Sequence, residues 1–182
     1  MTMQFHTEPS GGGPLPPVAP AVFREALGRF ATGITVMTTL DAQEGAYGVT
    51  ATSFASLSLD PPLVQWSLRN AAYSLPIFLR SRRFAVNILA SDQEEVSRAF
   101  STSGVDRFAG IATEAGLGGV PLIEGAAAWI ECDLETTLPG GDHTILIGRV
   151  LRARTFPRPP LLHWRGGYLP IVADPARDEG RA

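Results

Sequence analysis

The stretch Val49-Thr50-Ala51-Thr52-Ser53-Phe54-Ala55-Ser56-Leu57-Ser58-Leu59 carries hydroxyl groups at a spacing suited to binding chemistry. Read with the period of a strand, Val49, Ala51, Ser53, Ala55, Leu57 and Leu59 share one face. The other face offers the hydroxyls of Thr50, Thr52, Ser56 and Ser58, interrupted by Phe54. Hydroxyls both donate and accept, so such a row can hold a polar heteroaromatic ring or a phosphate without fixed charge. A solvated strand face would read the same way. Ala and Ser are poor strand formers, however, and their abundance here suggests close approach by another group. Asp60-Pro61-Pro62 then stops the strand and leaves backbone groups free.

A second constellation is Gly140-Gly141-Asp142-His143-Thr144. Its glycines permit a tight turn between strands, and the Asp and His project from the tip. Such a His can hydrogen-bond a polar ligand or exchange a proton near neutral pH; a plain hairpin with exposed polar residues is the alternative. A third is Arg82-Arg83-Phe84-Ala85-Val86-Asn87. An Asn in an apolar strand needs partners for its amide, from the protein or from a ligand. Arg82 and Arg83, like Arg69, Arg107 and Arg165, read as solvated charge able to meet a phosphate.

What is missing narrows the chemistry. All 15 basic residues are arginine, so lysine Schiff bases and a Walker-type phosphate loop are excluded. The single Cys132 rules out an intrachain disulfide and any CxxC site, and reads as a small buried hydrophobe. Of His6, His143 and His163 the first lies in a Pro/Gly-rich leader, so a histidine metal site would have to be completed by carboxylates, and no metal is expected. Gly116-Leu117-Gly118-Gly119-Val120-Pro121 lacks the third glycine of a dinucleotide fingerprint and reads as a loop. A net charge of −3 argues against a nucleic-acid partner. No apolar run is long enough to span a bilayer and no signal peptide is evident, so no membrane association and a cytoplasmic address are expected.

The elements that must position these residues are mostly strands. Residues 1–20, rich in Pro and Gly, are expected to form a disordered leader and 173–182 a flexible tail, leaving one domain over 21–172. Val22, Phe23, Ala26, Leu27 and Phe30 recur at helical spacing, which predicts a helix closed by Gly33. Strands are predicted over 33–40, 47–59, 63–68 and 83–89. Short helices are predicted over 73–80 and 92–100, the latter capped by Ser91. A long antiparallel pair is predicted over 126–137 and 144–154 around the 139–143 turn, with a last edge strand over 161–168. Helices do not alternate with strands, so a closed or split antiparallel β-barrel with peripheral short helices fits better than a doubly wound sheet.

An ordered set of short motifs then resembles a known family. It comprises Phe30-Ala31-Thr32-Gly33-Ile34-Thr35-Val36, the run from Thr50 through Pro61-Pro62-Leu63-Val64, and Phe84-Ala85-Val86-Asn87-Ile88-Leu89. Phe23-Arg24 before them, Arg107-Phe108-Ala109-Gly110, Gly141-Asp142-His143, Ile147-Gly148-Arg149-Val150, and Pro159-Pro160-Leu161-Leu162 with Arg165-Gly166-Gly167-Tyr168 complete it. The set is similar to the flavin reductase-like family, the small reductase components of two-component flavin-dependent monooxygenases. The resemblance implies an FMN-binding split β-barrel, a homodimer, and hydride transfer from NADH or NADPH to FMN or FAD. Reduced flavin would then diffuse to a partner oxygenase. It places Thr50, Ala51, Thr52, Ser53, Ser56, Leu57 and Ser58 beside the flavin, with Asn87, Ile88 and Leu89. It places Gly141, Asp142 and His143 beside the nicotinamide nucleotide, with His143 positioning the nicotinamide. The family pattern commonly has Asn where this chain has Thr52, which alters the hydrogen bonds offered to the ring. A flavin carrier or redox sensor without steady-state turnover is the alternative the same resemblance leaves open.

Overall fold

The structure is a computed structural model that describes residues 16–169 and 171. Residues 1–15 of the expected leader and all of the expected tail lie outside the described residues. The chain begins with α1 (Pro20–Leu27), β1 (Thr32–Gly33), β2 (Thr35–Asp41), β3 (Gly45–Ala51), β4 (Ala55–Leu59) and β5 (Pro62–Arg69). It continues with α2 (Ser74–Ser81), β6 (Arg83–Ile88), α3 (Glu94–Ser101), β7 (Thr113–Ala115) and β8 (Pro121–Ile123). The long hairpin of β9 (Ala128–Gly140) and β10 (His143–Thr155) follows, then β11 (Leu162–Trp164) and β12 (Gly167–Leu169).

One antiparallel sheet of seven strands, in the order β3-β2-β6-β9-β10-β5-β4, dominates. Its two edge strands, β3 and β4, are consecutive in sequence and separated by residues 52–54 alone. A flat sheet would hold those edges roughly 29 Å apart. The connecting chain reaches at most about 14 Å from Ala51 to Ala55. The sheet therefore curls into a barrel whose edges meet at a seam without ladder pairing, the split antiparallel barrel that the sequence predicts. Its interior holds Trp66, packed edge-on against Phe78 of α2 at 4.9 Å and beside Phe84 of β6 at 5.7 Å. Two glycines make room for aromatic rings, one inside the barrel and one under α3. A Cβ at Gly148 would lie 2.4 Å from Phe84, and one at Gly48 would lie 2.5 Å from Phe100 of α3.

Several boundaries differ from expectation. The first helix ends at Leu27, where the N–H of Gly28 bonds the carbonyl of Arg24. Thr32 and Gly33 instead pair with His163 and Leu162, so the predicted last edge strand is a hairpin in a separate three-stranded sheet. Ser91 does not cap α3, which starts at Glu94; its N–H bonds Pro159 instead. The predicted strand over 47–59 breaks at the seam. The face that Val49 and Ala51 begin is therefore not buried beyond Ala51: Ala55, Leu57 and Leu59 are exposed, because β4 is an edge strand.

Candidate functional site

The seam and the β9–β10 turn are built by neighbouring strands. At the seam Ser53 Oγ donates to the Ser67 carbonyl at 3.2 Å and accepts from the Ser67 N–H at 3.0 Å. This side chain continues the β4–β5 pairing where the backbone ladder stops. Thr52, Ser53, Ala55 and Ser56 are exposed, and 50–58 contains no charged side chain. The ladder skips Leu57, a bulge that re-aims the strand between Ser56 and Ser58. The outer edge of β4 has no ladder partner among the described residues. The first hydroxyl of the row is committed elsewhere: Thr50 Oγ1 donates to the Ser97 carbonyl of α3 at 2.7 Å. The carbonyl of Ala51 accepts from Thr35 Oγ1 at 2.7 Å.

The turn between β9 and β10 is two residues, Gly141 and Asp142, with Gly141 at φ +70°. A glycine of positive φ in the first turn position is the type II′ requirement. His143 pairs in register with Arg69 of β5, and Ile145 with Ser67. Ser53 thus lies level with Ile145, two strands away, and His143 lies two residues further along. Strand spacing and rise put Ser53 and His143 roughly 12 Å apart along the sheet. Asp142 Oδ1 lies 2.8 Å from His143 Nδ1, and the His143 ring holds the Asp142 carboxyl below the usual carboxylate range.

Asn70 braces this turn and was not singled out from sequence. Its N–H donates to the Asp142 carbonyl at 2.9 Å and its Nδ2 to the Gly141 carbonyl at 3.3 Å, while its Oδ1 accepts from Thr144 Oγ1 at 2.8 Å. The only sequence signal is an Asn at a strand end; nothing links it to a turn 71 positions away.

The resemblance places Asn87 and Leu89 beside the flavin; in the fold both side chains are buried. Asn87 is fully buried, and its amide is spent within the protein. Nδ2 donates to the Val36 carbonyl at 2.9 Å and Thr38 Oγ1 at 3.0 Å, and Oδ1 accepts from the Ile123 N–H at 2.7 Å. Leu89 is also fully buried, with its N–H on Ile34 and its carbonyl on Leu161. Ile88 stays half-buried and faces Thr35, which on its other side pairs with Ala51. Cys132 is buried in the barrel, and burial pushes its thiol up to about 12, so it is no nucleophile at neutral pH. Among the described residues no cluster of three His, Cys, Asp or Glu side chains could hold a metal, and no helix is long and apolar enough to cross a membrane.

Residues 27–171 match the model of the flavin reductase like domain. The chain is 42% identical over 146 residues to the FMN reductase (NADH) SmoA of Agrobacterium fabrum, covering 80% of this chain and 83% of that protein. It is 40% identical over 157 residues to HsaB of Mycobacterium tuberculosis, the reductase subunit of a flavin-dependent monooxygenase, covering 85% of this chain and 83% of that one. A relative from Rhizobium meliloti, 40% identical over 149 residues, is longer, and the chain spans 48% of its length. Among solved structures, the NADH:FAD oxidoreductase SgcE6 of Streptomyces globisporus, in complex with NAD and FAD fragments, superposes with a TM-score of 0.82 at 35% identity. That match covers 88% of this chain and 99% of that one. With 145 of its 182 residues inside the domain match, this chain belongs to the flavin reductase like domain family.

Proposed function

We propose that the protein is an NAD(P)H:flavin oxidoreductase that reduces FMN or FAD and releases reduced flavin to a separate monooxygenase component. One observation carries the reading. An uncharged, small-side-chain seam and the Asp142–His143 turn lie on the same sheet, two strands and roughly 12 Å apart. Relatives named as reductase subunits of flavin-dependent monooxygenases support the oxygenase partner. A homodimer in the cytoplasm belongs to the same proposal.

The seam fits a flavin ring. Its side chains are small and neutral, and the unpaired edge of β4 offers backbone N–H and C=O groups to a ring that itself carries donors and acceptors. Thr52, Ser53, Ser56, Leu57 and Ser58 would hold it, with the backbone of Thr50 and Ala51. Flavin bound there supplies the two-electron acceptor for hydride from reduced nicotinamide. The protein then needs no acid–base pair; its work is orientation and exclusion of water. With its proton on Nδ1 toward Asp142, His143 keeps Nε2 as an acceptor for a nucleotide amide or hydroxyl. Gly141 lets that nucleotide approach the backbone, and Asn70 fixes the height of the turn.

The test is steady-state oxidation of NADH and NADPH with FMN, FAD and riboflavin. A flavin-dependent rate with at least one nucleotide is expected. No such rate with any pair, together with tight flavin that does not exchange, would instead make the protein a carrier or sensor.

A further inference from the structure

We infer that the cleft between Tyr47, Tyr73 and the 104–108 loop seats the adenine ring of a dinucleotide whose other end lies at the seam. The inference deepens the flavin-reductase reading and rests on it for the identity of the dinucleotide. The cleft has a volume of about 300 Å³ and is lined by Tyr47, Gly48, Tyr73, Val105, Arg107 and Phe108 among others. Its walls combine a planar aromatic surface with a fixed donor. Tyr73 is 65% exposed, with its ring 6.2 Å from that of Tyr47. Arg107 lies over the Tyr47 ring at 5.1 Å. Its Nε donates to the Thr102 carbonyl at 2.9 Å, and its Nη1 donates to Tyr47 Oη at 3.1 Å and the Gly48 carbonyl at 2.7 Å. Its Nη2 has no hydrogen bond or ion pair among the described residues. A guanidinium held on three sides, with its remaining nitrogen free, suits the ring acceptors of a base stacked on Tyr73.

Position selects the ligand. Tyr47 lies near the start of β3, an edge strand, and Thr52 directly follows its last residue, about 17 Å away along the chain. A mononucleotide with its ring at the seam ends short of the cleft; a dinucleotide lying along that edge reaches it. Both FAD and the pyridine nucleotide carry adenine. Because one strand joins cleft and seam, FAD is the favoured source.

Two measurements test this on the full chain. Titration of the wild type with AMP, followed by amide chemical shifts, is expected to move signals at Tyr47, Tyr73 and 104–108. Tyr73→Ala is expected to weaken FAD binding about tenfold, as lost base stacking does, while FMN binding changes less than about twofold. Tyr73→Phe, which keeps the ring, should restore FAD binding. Loss confined to NADH would uphold the adenine seat and name the pyridine nucleotide as its occupant. No AMP shifts in the cleft, equal losses for FAD and FMN, or no change for any of the three ligands would overturn the inference. If the wild type reduces no flavin, the functional reading fails, and the AMP shifts still decide the cleft.

Discussion

His143 is placed by a turn that Asn70 braces and by the Asp142 carboxylate, and in the proposed function it contributes to binding rather than proton transfer. His143→Ala should raise the NADH Michaelis constant about five- to tenfold, the worth of one hydrogen bond, and leave flavin affinity unchanged. Unchanged NADH kinetics would remove His143 from the nucleotide site. Asp41 illustrates pH dependence. Arg80 binds its carboxylate in a two-pronged contact at 3.2 and 3.3 Å and holds the carboxyl below its usual range, helped by the N–H groups of Gln43 and Glu44. A lowered native value means the ionised form is favoured by folding. Its stabilisation is complete above the unfolded value of about 3.9 and is lost as pH falls through the lower native value. Acid denaturation followed from pH 6 to 2 should show Asp41→Asn losing this component of the slope; a parallel curve would count against the contact. Neither Arg80 nor Asn70 stands out in sequence, because each acts on a residue tens of positions away.

The strands and their order explain why one motif residue is structural. Asn87 joins β6 to β2 and to β8, with both ends of its amide in use. Asn87→Leu keeps the volume but leaves the Ile123 N–H buried without a partner. That should cost about 2–3 kcal/mol in urea denaturation, with flavin affinity of the folded protein preserved. A large loss of flavin affinity without loss of stability would return Asn87 to the binding site. From sequence the costly buried amide is legible, but its partners are not, since Val36 and Ile123 lie on different strands. The same limit applies to the hydroxyl row. The barrel's closure breaks its period at 52–54 and the bulge at Leu57 breaks it again, turning Thr50 toward α3 and Ser56 outward.

At the scale of the whole molecule, α1 is unfinished. Val22, Phe23 and Leu27 are 56–60% exposed, and no residue of the helix is buried. Eight residues make a marginal helix without packing, so this apolar face calls for a covering surface. The proposed homodimer supplies one. Sedimentation should give a dimer, and Phe23→Glu with Leu27→Asp should shift it toward monomer; a stable wild-type monomer would refute the dimer. The sequence by itself determined the antiparallel class, a hairpin turn within 139–143 and the neutral character of 50–58, because alternation, glycine turns and absent charges are local properties. It carried the family as well, through motifs in order. Only the tertiary structure decided that 52–54 is a seam, that Arg69 faces His143, that the Asn87 amide is bonded to Val36, Thr38 and Ile123, and that Tyr47 meets Tyr73. Those depend on how far each strand is shifted against its neighbour around the barrel, and that stagger is fixed by the packing of Trp66, Phe78 and Phe84 rather than by any one segment.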